Sequence, residues 1–362
     1  MTISDNGGLY VHIPFCVRRC GYCNFVSCTD FSRMRVYVGA LIKEIRARSC
    51  GGIFDSVYFG GGTPSVLYRG GLREILGALR DNYTIVSPEI TVECNPDSAD
   101  EAFFSECADI GVNRFSIGLQ TTDDILLQAI GRPHNYRQFA DAFAAARQIG
   151  ETSVDLMLGL PEQTTDDLLG SVDKVCALGP DHISLYALKV EPGTPMCASG
   201  YRPDEDGQAA MYDKAYRRLR AHGYERYEVS NFARGGRMSR HNYKYWTMCP
   251  YLGFGAAAHS FTGDSRLANT DSIAAYIAGR RPQSTEETAE DFREEYVMLA
   301  LRTAAGLDLA DYERRFGVSL TEEKARQTDR LVRGGFIEIV SGRLRLTEDA
   351  FYVMNAVIAE LI

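Results

Sequence analysis

Short apolar runs recur along the first half of the chain, and each is followed by a longer segment of helical periodicity. Runs of this kind are typical of buried strands, and strands that alternate with helices are typical of a parallel sheet. Six such units follow one another. The predicted strands are Leu9–Pro14, Ser56–Gly60, Glu89–Glu93, Arg114–Gly118, Ser153–Leu158 and His182–Ala187, and the helices after them begin near Ser32, Arg69, Asp100, Asp123, Thr165 and Gln208.

Six consecutive units predict an α/β fold with one of two architectures, an incomplete (β/α) barrel or a doubly wound sheet. Both architectures bind ligands at the carboxyl ends of their strands, so functional residues are expected there. The barrel or sheet is expected to occupy residues 1–279. The polar, proline-containing segment 280–291 is predicted to be a linker.

Residues 292–362 are predicted to form a second domain. Helices are expected from Phe292, Leu309 and Leu320, followed by the strands Phe336–Val340 and Arg343–Thr347, a Ser-Gly turn between them, and a last helix. This order resembles a winged helix. From Glu290 onward there are ten Lys and Arg against fourteen Asp and Glu, so the basic surface that DNA binding needs is absent. A packing or lid role is expected instead.

The composition is that of an ordinary soluble protein, with a formal net charge of −9. This charge gives no reason to expect nucleic-acid binding, and at most peripheral contact with a membrane. No basic segment followed by an apolar one opens the sequence, and no apolar stretch reaches the length of a membrane helix, so we expect a cytoplasmic protein. Ten cysteines in that compartment are expected to be reduced, and some to bind metal.

Three cysteines lie within eight residues directly after the first predicted strand, in Cys16-Val-Arg-Arg-Cys20-Gly-Tyr-Cys23. Three thiolates can hold three irons of a [4Fe-4S] cubane and leave the fourth iron open. Spacing alone also permits a zinc site completed by Cys28 or His12, or free thiols. The pattern C-x3-C-x2-C, with an aromatic residue before the last cysteine, resembles the signature of the radical S-adenosylmethionine (SAM) superfamily. That resemblance implies an incomplete (β/α)6 barrel, a [4Fe-4S] cluster on Cys16, Cys20 and Cys23, and SAM on the open iron.

Polar residues and glycines follow the next predicted strands. Gly60-Gly61-Gly62-Thr63-Pro64 follows the second strand and allows close approach of a ligand to the backbone. Glu93, Gln120 and Asp155 come from the third, fourth and fifth strands, and Arg132 lies in a following turn. A carboxylate can accept both hydroxyls of a ribose, and an Arg or an amide can orient a carboxylate. Together these residues predict a binding site at one rim.

The chain also resembles oxygen-independent coproporphyrinogen oxidases and their relatives over nearly its whole length, through HISLYALKVEPGTP and YEVSNFA. The resemblance implies that a set of residues around the cysteine motif contacts SAM. These residues are Tyr10, Tyr22, Gly61, Gly62, Thr63, Glu93, Gln120, Arg132 and Asp155.

Two functions within this family remain open. One is a coproporphyrinogen III dehydrogenase, which oxidatively decarboxylates propionates by radical chemistry. The other is a heme chaperone of the HemW type, which binds heme and passes it to acceptor proteins. The dehydrogenases have a cysteine two positions after the motif, where this chain has Phe25, and an N-terminal extension that we do not expect here. Both differences favour the chaperone.

The heptapeptide Arg240-His241-Asn242-Tyr243-Lys244-Tyr245-Trp246 matches the HNxxYW pattern associated with heme binding in the chaperone group. Imidazole is a common ligand of heme iron. The resemblance therefore implies that His241, Asn242, Tyr245 and Trp246 contact heme, with His241 as first choice of ligand and His259 as second. A packing role for His241 and Trp246 is the alternative. The heme acceptor and a homodimeric state stay open.

Overall fold

The computed structural model describes residues 6–280, 282–285 and 288–362. Its first half contains six parallel strands that lie side by side in chain order, as the six predicted units require. The strands are β1 (Gly7–Ile13), β2 (Ile53–Gly61), β3 (Thr84–Cys94), β4 (Arg114–Gln120), β5 (Glu151–Leu158) and β6 (His182–Ala187). The helices are α1 (Met34–Ala47), α2 (Gly71–Asn82), α3 (Glu101–Ile110), α4 (Asp124–Ala129), α5 (Tyr136–Arg147) and α6 (Thr165–Leu178).

Shorter elements extend the sheet at both edges. They are α7 (Pro195–Ala198), α8 (Glu205–Ala221), β7 (Glu225–Arg226), β8 (Asn231–Ala233), α9 (Arg240–Trp246), β9 (Tyr251–Phe254), β10 (His259–Phe261), β11 (Arg266–Ala268), α10 (Ile273–Ile277) and β12 (Gln283–Thr285). The strand order is β12-β11-β10-β9-β1-β2-β3-β4-β5-β6-β8-β7, so the sheet of the described residues does not close. The predicted incomplete barrel is thereby confirmed.

The strands β7 to β12 were not predicted from the sequence. The strand β9 joins the free edge of β1 in parallel, whereas β8 is antiparallel to β6. The strand β12 lies inside the segment expected to be a linker, where it pairs with β11, while residues 281, 286 and 287 of that segment are outside the described residues. The predicted domain limits stay predictions.

The C-terminal part agrees closely with the predicted elements. It contains α11 (Ala289–Ala300), β13 (Leu307–Asp308), α12 (Leu309–Phe316), α13 (Leu320–Glu323), α14 (Ala325–Arg333), β14 (Ile337–Val340), β15 (Arg343–Leu346) and α15 (Met354–Ala359). The single helix expected from Leu320 is divided into α13 and α14. The strands β13, β15 and β14 form a small antiparallel sheet, which packs with the helices around a second apolar core.

The two faces of the large sheet differ in polarity because successive residues of a strand point to opposite sides. The side chains of Leu9, Val11 and Ile13 on β1 point outward into the apolar core beneath the helices. The same holds for Val57 and Phe59 on β2. The inner face instead carries hydroxyl, carboxylate, imidazole and guanidinium groups, which line a partly open cavity: Tyr58, Thr91, Glu93, Arg114, Ser116, Ser153, Asp155, His182, Ser184 and Tyr186. An interior of this kind suits polar ligands.

Among the described residues, the structure has no helix whose length and apolar character would let it cross a membrane.

Candidate site for an iron–sulfur cluster and its cofactor

The three motif cysteines lie in the loop that follows β1. Cys16 and Cys20 are buried, and Cys23 is half-buried. The backbone of the loop is tied back to the strand, since Cys16 N donates to Cys28 O at 3.0 Å and Cys28 N donates to Pro14 O at 2.8 Å. The backbone of Cys28 thus holds the loop in place.

A chain of hydrogen bonds connects two of the thiols. Thr63 Oγ1 donates to Cys16 Sγ at 3.4 Å, and Asn95 Nδ2 donates to Thr63 Oγ1 at 3.1 Å. Arg132 Nη2 donates to Asn95 Oδ1 at 2.8 Å, and Arg132 Nη1 donates to Cys20 Sγ at 3.7 Å. The loops after β1, β2, β3 and β4 are therefore joined around the cysteines. Such hydrogen bonds orient metal ligands and stabilise them as thiolates.

The donor set fits a cubane better than a single metal ion. Among the described residues, no group of three or more His, Cys, Asp or Glu side chains could hold one metal ion. In a cubane each thiolate binds a different iron, so the three sulfurs need not meet at one point. His12, the alternative zinc ligand, is already engaged, with Nδ1 3.0 Å from the Tyr10 hydroxyl and Nε2 3.1 Å from Val26 O.

Burial raises the pKa of the Cys16 thiol, while the hydrogen bond from Thr63 opposes that rise. Burial also raises the pKa of Cys23, against the nearby charges of Arg19 and Arg132. Both thiols therefore favour the protonated form without metal, and a bound iron must displace those protons.

The glycines after β2 let the chain approach the cysteine loop closely. A Cβ on Gly62 would lie 2.8 Å from Phe15 O and 3.0 Å from Cys16 Sγ. Gly61 has a φ of +113°, and a Cβ there would lie 2.6 Å from the His12 ring. No larger residue fits at either position, so the glycines are needed for more than a turn.

Glu93 and Asp155 are half-buried carboxyl groups on the inner face. Glu93 Oε1 accepts the Tyr58 hydroxyl at 2.8 Å, and Glu93 Oε2 accepts Gly61 N at 3.1 Å. Burial raises the pKa of Glu93 to about 7, and burial raises the pKa of Asp155 to about 6. Ser116 Oγ donates to Asp155 Oδ1 at 3.3 Å. Carboxyl groups held in this way can accept the hydroxyls of a ribose.

Arg132 retains one free donor. Its Nε is buried without a hydrogen-bond partner in the described residues. A ligand carboxylate would satisfy this nitrogen, which agrees with the expected role of Arg132. Gln120, at the end of β4, is buried with a φ of +77°, and a register shift precedes it. Burial raises the pKa of Tyr22, beside Arg132 and Cys20.

The residues of the HNxxYW motif lie at the opposite, amino-terminal ends of the strands, on α9. The His241 side chain is 0% exposed, its Nδ1 is 2.9 Å from Ser56 Oγ, and its Nε2 is 2.9 Å from the Tyr245 hydroxyl. Iron ligation by His241 would require one of these hydrogen bonds to break. Asn242 lines the polar cavity, and Trp246 is half-buried. The heme contacts inferred for this motif stay predictions.

His259, the second choice of heme ligand, is exposed on β10. The sequence prediction missed Asn95 and His12 as supports of the cysteine loop. The position of Asn95 two residues after Glu93, at the end of a predicted strand, was the available signal for it.

An open parallel sheet with a three-cysteine loop at the carboxyl end of its first strand defines a radical SAM protein. Residues 10–175 match the Radical SAM superfamily, and residues 288–353 match the HemN C-terminal domain. The heme chaperone HemW of Bacillus subtilis (strain 168) is 35% identical over 333 residues, 86% of this chain and 87% of its own. HemW of Mycobacterium tuberculosis (strain H37Rv) is 33% identical over 376 residues, 98% of this chain and 94% of its own. The chain therefore belongs to the HemW family.

The fold also matches a solved structure over nearly its whole length. Coproporphyrinogen III oxidase (HemN) from Escherichia coli superposes with a TM-score of 0.87 and covers 99% of this chain and 90% of its own. The sequence identity is 21%, so this likeness concerns the fold alone.

Proposed function

We propose that the protein is a heme chaperone that binds heme and transfers it to acceptor proteins, and that it carries a [4Fe-4S] cluster and SAM. Cys16, Cys20 and Cys23 hold the cluster in this proposal. Gly61, Gly62, Thr63, Glu93, Gln120, Arg132 and Asp155 surround SAM, together with Tyr10 and Tyr22. A bound cluster with SAM supplies one-electron chemistry. The chaperone acts in the cytoplasm.

The hydrogen-bond chain from Cys16 through Thr63, Asn95 and Arg132 to Cys20 is the observation that carries the cluster and SAM assignment. It brings the guanidinium group of Arg132 together with two thiols, and the Nε of that group is buried and has no hydrogen-bond partner in the described residues. The carboxyl group of Glu93 lies next to the same glycine turn, through Gly61 N. This cofactor pair needs thiols to bind iron, a cation to bind the carboxylate of SAM and a carboxyl group to bind its ribose.

The heme function is supported by relatives. Several proteins named heme chaperone HemW match most of this chain at 32–35% identity. The exposed imidazole of His259 can reach a ligand without rearrangement, whereas His241 must first leave its hydrogen bonds. Heme ligation is therefore tested at both residues.

Anaerobic reconstitution with iron and sulfide tests the cluster. Separate Cys16→Ala, Cys20→Ala and Cys23→Ala variants are expected to lose the charge-transfer absorbance. Cys28→Ala is the matched control, because the hydrogen bonds that hold the loop to Cys28 come from its backbone. Loss of absorbance in the Cys28→Ala variant alone would overturn the ligand assignment.

Heme titration followed by the Soret band tests the chaperone function. The unsubstituted protein is expected to bind heme stoichiometrically. Replacing the iron ligand, by His241→Ala or by His259→Ala, is expected to weaken binding and to shift the Soret band. A parallel incubation with SAM, a reductant and coproporphyrinogen III is expected to give no protoporphyrinogen IX. Product at catalytic turnover would make the protein a dehydrogenase and contradict the proposal.

A further inference from the structure

The short helix α9 covers the amino ends of β1, β2 and β3 on the inner side of the open sheet. The carboxylate of Glu89, on β3, accepts the backbone N–H groups of Arg240 and His241, each at 3.0 Å. Lys244 Nζ lies 2.6 Å from Asn6 O and 2.7 Å from a carboxylate oxygen of Asp55. The helix is therefore attached to β2, to β3 and to the residue before β1, and its position is fixed relative to the inner face of the sheet.

The ring of His241 projects from α9 into the barrel and packs on an aromatic neighbour. Its centroid lies 5.1 Å from that of Tyr58, with an angle of 28° between the two ring planes. Ser56 and Tyr245 hold the two ring nitrogens. Gly8 leaves just enough room, since a Cβ there would lie 3.1 Å from His241 Cε1. Hydrogen bonds thus hold both nitrogens of the imidazole, Tyr58 packs on one face of the ring, and Gly8 lies against its edge.

Tyr58 extends this packing toward the residues proposed to surround SAM, among them Glu93 and Gly61, which we call the cofactor pocket. Its hydroxyl donates to Glu93 Oε1 at 2.8 Å, and the other oxygen of Glu93 accepts Gly61 N. Gly60 confines both groups, because a Cβ on Gly60 would lie 2.9 Å from the Tyr58 ring and 3.0 Å from Glu93 Oε1. The direction of the Glu93 carboxyl group therefore depends on the position of the Tyr58 ring, and that ring rests on His241.

We propose that His241 is a positioning residue of the cofactor pocket: by holding the ring of Tyr58, it fixes the orientation of Glu93 toward bound SAM. This inference rests on the proposed binding of SAM next to Glu93. It gives the histidine of the HNxxYW motif a role that requires no iron ligation. The motif then supports SAM binding from the amino-terminal ends of the strands, opposite to the end that holds the cluster.

Equilibrium dialysis of cluster-loaded, full-length protein with labelled SAM tests the inference. His241→Ala removes the closer of two rings stacked on Tyr58, since the Tyr10 ring also stacks on it with a centroid distance of 6.1 Å. We expect the Kd for SAM to rise about tenfold, as for the loss of one hydrogen bond to a charged group. The iron content is expected to stay unchanged. His241→Gln keeps a planar group that can bond to Ser56 and Tyr245, and it is expected to recover most of the affinity.

Two further variants separate positioning from a general loss of stability. Tyr58→Phe keeps the packing and removes only the hydroxyl that holds Glu93, and it is expected to raise the Kd to a similar extent, even where His241→Ala fails to fold. Thr247→Ala is the matched control, at the residue directly after α9, because among the described residues its exposed hydroxyl bonds only to carbonyls of that helix. It is expected to leave the Kd unchanged.

Unchanged SAM affinity in folded His241→Ala and in Tyr58→Phe would overturn the inference while leaving the proposed SAM site intact. An equal loss in Thr247→Ala, or no recovery in His241→Gln, would assign the effect to stability and overturn it as well. Weakened heme binding in His241→Ala with unchanged SAM affinity would make His241 a heme ligand instead. Absence of SAM binding by the unsubstituted, cluster-loaded protein would overturn the proposed cofactor site itself.

Discussion

The guanidinium group of Arg132 donates a hydrogen bond to the thiol of Cys20 across 3.7 Å, although the two residues are 112 positions apart in the chain. The same guanidinium group bonds to Asn95 and to the carbonyl of Gly118. It is buried, so it is a fixed positive charge next to a proposed iron ligand. Charges and hydrogen bonds at this distance tune both metal affinity and ligand basicity.

Arg132→Lys is expected to separate SAM binding from cluster binding. In Arg132 the planar guanidinium group bonds to Asn95 through Nη2 while its Nε stays free for a carboxylate. Lysine keeps the positive charge but has no such planar group. We expect the Kd for SAM to rise at least about tenfold while the charge-transfer absorbance persists. Dialysis and spectroscopy measure the two properties. Arg137→Lys, at an exposed position on α5, is the control, and equal affinity in both variants would refute the carboxylate role.

Asn95→Ala is expected to weaken the cluster site without removing a ligand. The substitution breaks the hydrogen-bond chain between Thr63 and Arg132, the residues that bond to the thiols of Cys16 and Cys20. Losing a direct partner of a metal ligand typically costs about 10- to 100-fold in metal affinity, so a loss at the lower end, about tenfold, is expected here. Iron content after dialysis against a chelator is the measurement. Asn95→Asp keeps an acceptor for Arg132 and loses the donor to Thr63, so it is expected to retain more iron. Iron retention in Asn95→Ala equal to that of the unsubstituted protein would contradict this role.

Gly62→Ala and Gly77→Ala are expected to act in opposite directions. A Cβ on Gly62 meets the backbone of Phe15, which cannot move without displacing the cysteine loop. Gly62→Ala is therefore expected to lower the free energy of unfolding by about 1–3 kcal/mol and to reduce the cluster content. Gly77 lies in α2, and apart from its chain neighbours and the backbone of that helix no atom of the described residues lies within 4 Å of its Cβ position. Alanine there is expected to stabilise the protein by about 0.5–1 kcal/mol. Denaturant unfolding of both variants checks the signs, and a neutral Gly62→Ala would argue against the close approach.

Glu228 is expected to make stability depend on pH. Its side chain is 0% exposed, its Oε1 has no hydrogen-bond partner in the described residues, and burial raises its pKa to about 7. The folded state therefore holds a proton that the unfolded state releases near pH 4.5, so stability falls as the pH rises from about 4.5 to 7. The loss is on the order of 1–3 kcal/mol.

Glu228→Gln removes this titration. The variant is expected to gain stability relative to the unsubstituted protein at pH 8 and to match it more closely at pH 5. Thermal unfolding at both pH values, with exposed Glu225→Gln as control, gives the comparison. A gain of the same size at both pH values would refute the titration of Glu228.

The sequence predicted the elements that have strong local patterns. All six parallel strands occur where expected because each has a run of apolar residues long enough to recognise. In the C-terminal part, α11 and α12 begin at the capping residues Thr288 and Asp308. The short strands β7 to β12 have two to four residues each and no comparable pattern. The second helix of the fourth unit, α5, was not predicted either.

The site was predicted where a strand end identified it and missed where only the tertiary structure does. Glu93, Asp155 and the cysteines follow predicted strands, so a common rim could be inferred. The role of Asn95 depends on Thr63 and Arg132, which are 32 and 37 residues away. The burial of His241 against Ser56, 185 residues away, likewise has no local signal.

The open sheet ends in short strands, β7 with two residues at one edge and β12 with three at the other. A sheet edge attracts the edges of other chains through its unpaired backbone groups, and short edge strands limit that attraction. A closed barrel avoids such edges, but it fills its interior with side chains. By ending its sheet in this way, the protein can keep a polar interior that is open to ligands with little risk of joining other copies edge to edge into aggregates.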